Sequence, residues 1–176
     1  MDKSTPHNGN GHPHADDHTS AAEGDLAHTG VVIVDHGSRR QASNEMLERF
    51  VATFAEISNY GIIEPAHMEL AEPSIATAFD KCVERGAKRV VICPYFLLPG
   101  KHWDEDIPEL TREAAEKHPG IDYMVTAPIG LHPEMRSVIE HRIDHCLSRV
   151  AGKAEECESC KGTGRCRMHT SAPIEA

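Results

Sequence analysis

From residue 31 onward the chain alternates short apolar runs with segments whose apolar residues recur every three or four positions. Residues 31–34, Val-Val-Ile-Val, read as a buried strand. Met46, Leu47, Phe50, Val51, Phe54 and Ile57 follow at steps of one, three and four, the period of an amphipathic helix. A second extended segment covers 63–70. The next helix starts near Pro73 and Ser74, with proline in its first turn, Ile75, Phe79, Cys82 and Val83 as its apolar face, and Gly86 as its end. Residues 89–93 form a third strand, and a loop from 94 to 104 follows it. Asp106 stands where it can cap a helix with Pro108 in its first turn, and His118-Pro119-Gly120 stops that helix. Residues 122–126 are a fourth strand. The segment 133–150 predicts a long last helix, with Met135, Val138, Ile139, Ile143, Cys146 and Val150 as its buried stripe.

Strands that alternate with helices imply right-handed crossovers and a parallel sheet. The predicted fold is α/β, a four-stranded parallel sheet with helices on both faces. Residues 1–29 are polar, rich in Gly, Asp, Ser and His, and lack any apolar period, so a disordered tail is expected there. His7, His12, His14, His18 and His28 give that tail a loose affinity for metal ions, or are simply solvated. The folded domain is expected over 30–150, and the periodicity stops in a linker that opens a Cys-containing extension, 151–176.

A chain of 176 residues is about one domain long and can bury a single core. Its formal net charge of -10 argues against nucleic acid or an anionic membrane surface as a partner. No apolar run reaches the roughly 20 residues of a membrane span. The N-terminal residues show neither the apolar stretch of a secretory signal nor an Arg-rich transit peptide, so a cytoplasmic protein is expected. Cys82 and Cys93 fall within a helix and a strand, where cysteine behaves as a small core hydrophobe.

Two histidines stand out. His36 follows the first strand in Asp35-His36-Gly37-Ser38-Arg39, and His102 ends the run Tyr95-Phe96-Leu97-Leu98-Pro99-Gly100-Lys101-His102 after the third. Ligands of open α/β sheets bind at the carboxyl ends of the strands. Two neutral imidazoles at that edge are a metal-handling pair, and the apolar wall before His102 suits a flat hydrophobic ligand. Glu72, in Glu69-Leu70-Ala71-Glu72-Pro73-Ser74, is a third polar group on the same edge, or a partner for the positive end of the helix it precedes. Histidine phosphatases also carry a strand-end His-Gly, but an arginine precedes their histidine. Asp35 holds that place here and would repel a phosphoryl group.

The His-Gly-Ser-Arg at 36–39, the Glu-rich helix start at 69–74 and the Pro-x-Phe-Leu-x-x-Gly-x-His-x-x-x-Asp-Ile-Pro run at 94–108 resemble the small sirohydrochlorin chelatases. These are relatives of the cobaltochelatases and ferrochelatases that insert a divalent metal into a tetrapyrrole. The resemblance covers about residues 29 to 150. It implies that His36 accepts a proton and ligates the metal, that His102 is the second ligand, and that Glu72 and residues Leu97, Leu98, Pro99, Gly100, Lys101 and His102 contact the macrocycle. The substrates implied are sirohydrochlorin and Fe²⁺, Co²⁺ or Ni²⁺, leading to sirohaem or a cobalt corrinoid. An imidazole with a pKa near about 6.5 can take up a pyrrole proton at neutral pH, and it holds such ions less tightly than thiolates do. Arg39, Arg40 and Lys101 are the candidates to meet the substrate's carboxylates. Chelatases of this class are built from two similar halves and this chain carries one, so a homodimer is expected. A non-catalytic metal carrier, or a phosphatase using His36, are the alternatives.

The C-terminal Cys157-x-x-Cys160-x5-Cys166 stretch, interleaved with Gly162 and Gly164, offers three thiolates. A tetrahedral zinc site or an iron–sulfur cluster needs a fourth ligand, for which Cys146, His169 or a second subunit is available. Some plant-type members of the resembling family carry a similar motif associated with a [2Fe-2S] cluster, which favours iron–sulfur over zinc.

Overall fold

The structure, a computed structural model, describes residues 26–164 and 166. The expectations for residues 1–25, including His7, His12, His14 and His18, and for His169 lie outside the described residues. Strand β1 (Thr29–Asp35) is followed by helix α1 (Gln41–Ile57), strand β2 (Ile62–His67), helix α2 (Ile75–Glu84) and strand β3 (Arg89–Pro94). A π-helical turn (His102–Asp106) then leads into helix α3 (Ile107–Ala115), strand β4 (Asp122–Val125) and helix α4 (Glu134–Val150). The strands form one parallel sheet in the order β2-β1-β3-β4. Connections leave β1 and β3 toward opposite edges, so the carboxyl ends of these two neighbours border the crevice at the topological switch point.

Alternation along β1 and β3 sorts the core into two layers, as the period of two requires. Val32, Val34, Val90 and Ile92 face α2 and α3, where they meet Ile75, Phe79, Cys82, Ile107 and Ala114. Val31, Ile33 and Ile63 face the other way onto Leu47 and Val51 of α1. Cys82 lies in the core as expected: burial pushes its thiol up to about 12, with Glu64 adding to the effect. Gly30 makes room for it, since a Cβ at residue 30 would stand 2.7 Å from that of Cys82. Burial likewise raises the Cys93 thiol.

Three expectations need correction. The stripe of α4 keeps its helical period, yet none of its residues is buried; Met135 is half-buried, and Val138, Ile139, Ile143, Cys146 and Val150 are exposed. Helix α1 covers only the β1–β2 half of its face, so the β3–β4 half is left with a shallow apolar groove lined by Val91, Cys93 and Met124. Neither apolar surface has a partner among the described residues of this chain. Asp106 does not cap α3: its backbone is already helical and its carboxylate turns back to His102. Strand β2 ends at His67 rather than at 70, because His67 N–H bonds to Pro73 O and the chain bends away, with Leu70 at φ 67°.

Candidate active site

β1 delivers His36 to the sheet edge, and the loop after β3 delivers His102 opposite it. Their ring centroids are 5.2 Å apart, at an interplanar angle of 71°. The topology therefore unites the two histidines that the sequence separates by most of the sheet.

Each imidazole is held through one nitrogen. His102 Nδ1 lies 2.7 Å from Asp106 Oδ2, one helical turn on, and donation of Nδ1–H to that carboxylate leaves Nε2 with its lone pair. The bond to His102, helped by Lys101, holds the Asp106 carboxyl below the ordinary aspartate range. His36 Nδ1 lies 3.2 Å from Gly37 O, and its Nε2 lies 2.8 Å from Glu69 Oε1. Both neighbours are oxygen acceptors, so the tautomer of His36 decides which of them receives its N–H. An imidazole and a carboxylate are thus gathered where a second imidazole faces them.

The loop carrying the apolar wall is braced from behind. Tyr95 N–H bonds to Val34 O at 2.7 Å, Gly130 N–H to Phe96 O at 3.3 Å, and Trp103 Nε1–H to Thr126 O at 2.9 Å. Leu97, Leu98, Pro99 and Gly100 are exposed, so the wall is an open apolar lip rather than core. A cleft of about 900 Å³ beside His102 is lined by Glu69, Lys101, Glu105, Asp106 and Glu109. A second cavity of about 610 Å³ is bounded by Asp35, Arg49, Phe50, Tyr95, Arg142 and Ser159. Arg39 is exposed beside His36, and Lys101 Nζ lies 3.7 Å from Asp106 Oδ1.

Glu72 is not directed at the histidines. Its Oε2 accepts the Ser74 N–H at 2.7 Å and the Thr77 hydroxyl at 2.9 Å, and these bonds lower its carboxyl below the ordinary glutamate range. Ser74 completes the cap by accepting Thr77 N–H. Glu69 takes the place beside His36 instead.

A protein-family model, CbiX, matches residues 30–146, which spans both histidines, all four strands and most of α4. The chain belongs to the CbiX family. Among curated relatives, the chloroplastic sirohydrochlorin ferrochelatase of Arabidopsis thaliana is 57% identical over 81% of this chain and 64% of its own length. The sirohydrochlorin cobaltochelatase of Priestia megaterium is 32% identical over 72% of this chain and 41% of its own length. The chain thus spans less than two thirds of each of these relatives. A crystal structure of the sirohydrochlorin chelatase SirB from Bacillus subtilis subspecies spizizenii, in complex with cobalt, superimposes with a TM-score of 0.63 at 31% identity, covering 66% of this chain and 50% of that one.

Within this CbiX chain, sequence reasoning left Glu69 and Trp103 without roles and gave Asp106 only that of a helix cap. Asp106 had a signal, since it stands four residues after His102, the spacing of one helical face. Glu69 and Glu72 flank the same bend, and only the point where β2 leaves the sheet separates their directions. The C-terminal cysteines do gather. Backbone N–H groups of Ser159 and Cys160 lower the Cys157 thiol, while the hydrogen bond to Cys157 is the main cause that pushes Cys160 up to about 11, with Cys166 contributing. Among the described residues, no group of three or more His, Cys, Asp or Glu side chains is spaced to hold a metal ion.

Proposed function

We propose that this chain inserts a divalent metal, Fe²⁺ or Co²⁺, into sirohydrochlorin, serving sirohaem or cobalamin synthesis. The carrying observation is the pair of facing imidazoles, His36 and His102, with Glu69 at hydrogen-bond distance from the first. The names of the Arabidopsis and Priestia relatives, one for iron and one for cobalt, support the same reading. In this reaction Nε2 of each histidine holds the incoming ion while it sheds water, with the Glu69 carboxylate beside His36. As the ion passes to the macrocycle nitrogens, Nε2 of His36 is freed to receive one of the two pyrrole protons, and the adjacent Glu69 carboxylate receives the other. Leu97, Leu98, Pro99 and Gly100 give the macrocycle its apolar platform, and Arg39 and Lys101 meet its carboxylates. Glu72 shapes the loop from the helix start rather than touching the ring.

The test follows sirohydrochlorin absorbance with Fe²⁺, Co²⁺ and Ni²⁺, with and without protein. Acceleration that His36→Ala abolishes is expected. A wild-type protein that leaves the uncatalysed rate unchanged, or a His36→Ala variant as active as wild type, overturns the proposal and returns the chain to the metal-carrier reading.

The working unit is proposed as a homodimer over residues 30–150. It is supported by the exposed α4 stripe and by bacterial relatives of which the matched segment spans only 41% and 43%. Cys157, Cys160 and Cys166 are proposed as thiolate ligands of a [2Fe-2S] cluster, or of zinc. The Cys157–Cys160 hydrogen bond and the lowered Cys157 thiol support that reading, while the described side chains are not yet spaced to hold a metal ion and no described contact brings Cys146 beside them. No described helix is long and apolar enough to cross a membrane. The compartment is proposed as an aqueous one in which thiols stay reduced, the cytoplasm or, as the name of the Arabidopsis relative indicates for that protein, the chloroplast.

A further inference from the structure

Behind His36 lies a second histidine that the proposed chemistry does not use. His67 ends β2 directly opposite Asp35, the last residue of β1. It is 0% exposed, and its Nδ1 lies 2.6 Å from Asp35 Oδ1. The same oxygen accepts the Gly37 N–H at 2.9 Å. Nδ1 is therefore the donor, since one carboxylate oxygen receives both bonds. Nε2 of His67 is buried and has no hydrogen-bond partner among the described residues. A buried imidazole with one end unsatisfied is costly, on the order of 1–3 kcal/mol, unless its other end secures something in return.

What it secures is the turn that carries His36. Gly37 adopts φ +81°, and a Cβ there would stand 2.0 Å from Glu69 O and 3.0 Å from His67 Cβ. The turn is thus pressed against the strand end that bears Glu69. Two backbone bonds join the same pieces, Met68 N–H to Asp35 O at 2.8 Å and Glu69 N–H to His36 O at 3.2 Å. Rotation of the Asp35 carboxylate would free the Gly37 amide, and His36 would lose its fixed direction toward Glu69.

We propose that Asp35 and His67 are a positioning pair, which locks the His36–Gly37 turn so that His36 and Glu69 share one fixed geometry. Neither residue touches substrate. Its kinetic arm rests on the metal-insertion reading above; its structural arm does not. Misplacement of a reacting group by about 1 Å can lose on the order of a hundredfold in rate, and loss of groups that orient metal ligands loses about 10- to 100-fold.

The discriminating variants are His67→Leu, His67→Asn and Asp35→Ala. Asparagine places an N–H where Nδ1 stands, and it exchanges one unpartnered buried atom for another. Thermal melts confirm which variants fold, and Asp35→Ala, at a half-buried strand end, decides the matter if His67→Leu does not. Expected for His67→Leu and Asp35→Ala are a kcat lower by about tenfold or more with KM for sirohydrochlorin nearly unchanged, and Co²⁺ affinity weakened by a similar factor in a titration with Co²⁺ alone. Gly37 amide hydrogen exchange should quicken by about tenfold while the amides of Val32 and Ile92 keep their protection. His67→Asn should restore all three. Folded variants with wild-type kcat, Co²⁺ affinity and Gly37 exchange overturn the pairing. A change in Gly37 exchange without any change in kcat or Co²⁺ affinity reduces the pair to a structural fastening and also overturns it. If the wild type inserts no metal, the functional reading falls, while Co²⁺ affinity and Gly37 exchange still judge the positioning.

Discussion

Glu69 and Glu72 sit three residues apart, and the bend between them gives one carboxylate to His36 and the other to the start of α2. Substitution separates the two. Glu69→Gln keeps the size and removes the charge, so Co²⁺ affinity and insertion rate should each fall by about 10- to 100-fold with little change in stability. An isothermal titration with Co²⁺ beside the absorbance assay checks this, and wild-type values in both would remove Glu69 from the site. Glu72→Gln should leave insertion nearly intact and lower stability instead. The bonds from Ser74 and Thr77 depress the folded-state value of the Glu72 carboxyl. Its contribution is therefore fully present above the unfolded-state value and is lost as pH falls through the folded one. The exposed carboxylate limits the effect to no more than about 1 kcal/mol. Melting curves should thus differ between wild type and Glu72→Gln at pH 7 and converge in acid below the folded-state value. A gap that widens in acid would contradict this assignment.

Elements whose apolar residues pack within the chain were legible. The β1 run Val31-Val32-Ile33-Val34 is buried on both faces, and α2 turns Ile75, Phe79 and Cys82 inward at the expected steps. The long reach of the third loop was legible too, because Pro99 and Gly100 interrupt a run of apolar residues just before His102. Periodicity says which side of a helix is apolar but not what covers it, and α4 shows the consequence. Ile139, Ile143, Leu147 and Val150 are exposed, while the β3–β4 face that a parallel sheet normally covers carries exposed Met124. A second copy of the chain, supplying its α4, would meet both needs. Ile139→Asp with Ile143→Asp should then shift the protein from dimer to monomer in light scattering at micromolar concentration, without disturbing the melting of the β1–β3 core beyond the loss of dimer linkage. A wild type that is monomeric under those conditions removes α4 as an interface.

At the scale of the molecule, the net charge of -10 is at odds with a polycarboxylate substrate unless positive groups are local. Arg49 and Arg142 line one of the two cavities beside the strand ends and Lys101 lines the other, while Arg39 is exposed three residues after His36. The cavity bounded by Asp35, Phe50 and Tyr95 is also bounded by Glu158 and Ser159, so the C-terminal cysteine turn borders the same crevice. An ion pair between Arg142 and Glu158 ties that turn to α4. Glu158 and Ser159 thus stand at the rim of a cavity that Asp35 bounds and that neither His36 nor His102 lines. Tuning or sensing, rather than insertion, is the role this location supports. Protein purified without air should be brown, with charge-transfer absorption that oxygen or a chelator bleaches. Cys157 should be the first thiol of the apo form to react with an alkylating agent, because the Ser159 and Cys160 amides favour its thiolate, whereas buried Cys82 should stay unreactive until unfolding. Cys160→Ser should abolish the colour and keep most of the insertion rate. A colourless wild type with stoichiometric zinc would replace the cluster by a structural knuckle. A folded Cys160→Ser variant that inserts no metal would move the cysteine turn from the rim of the crevice into the reaction itself.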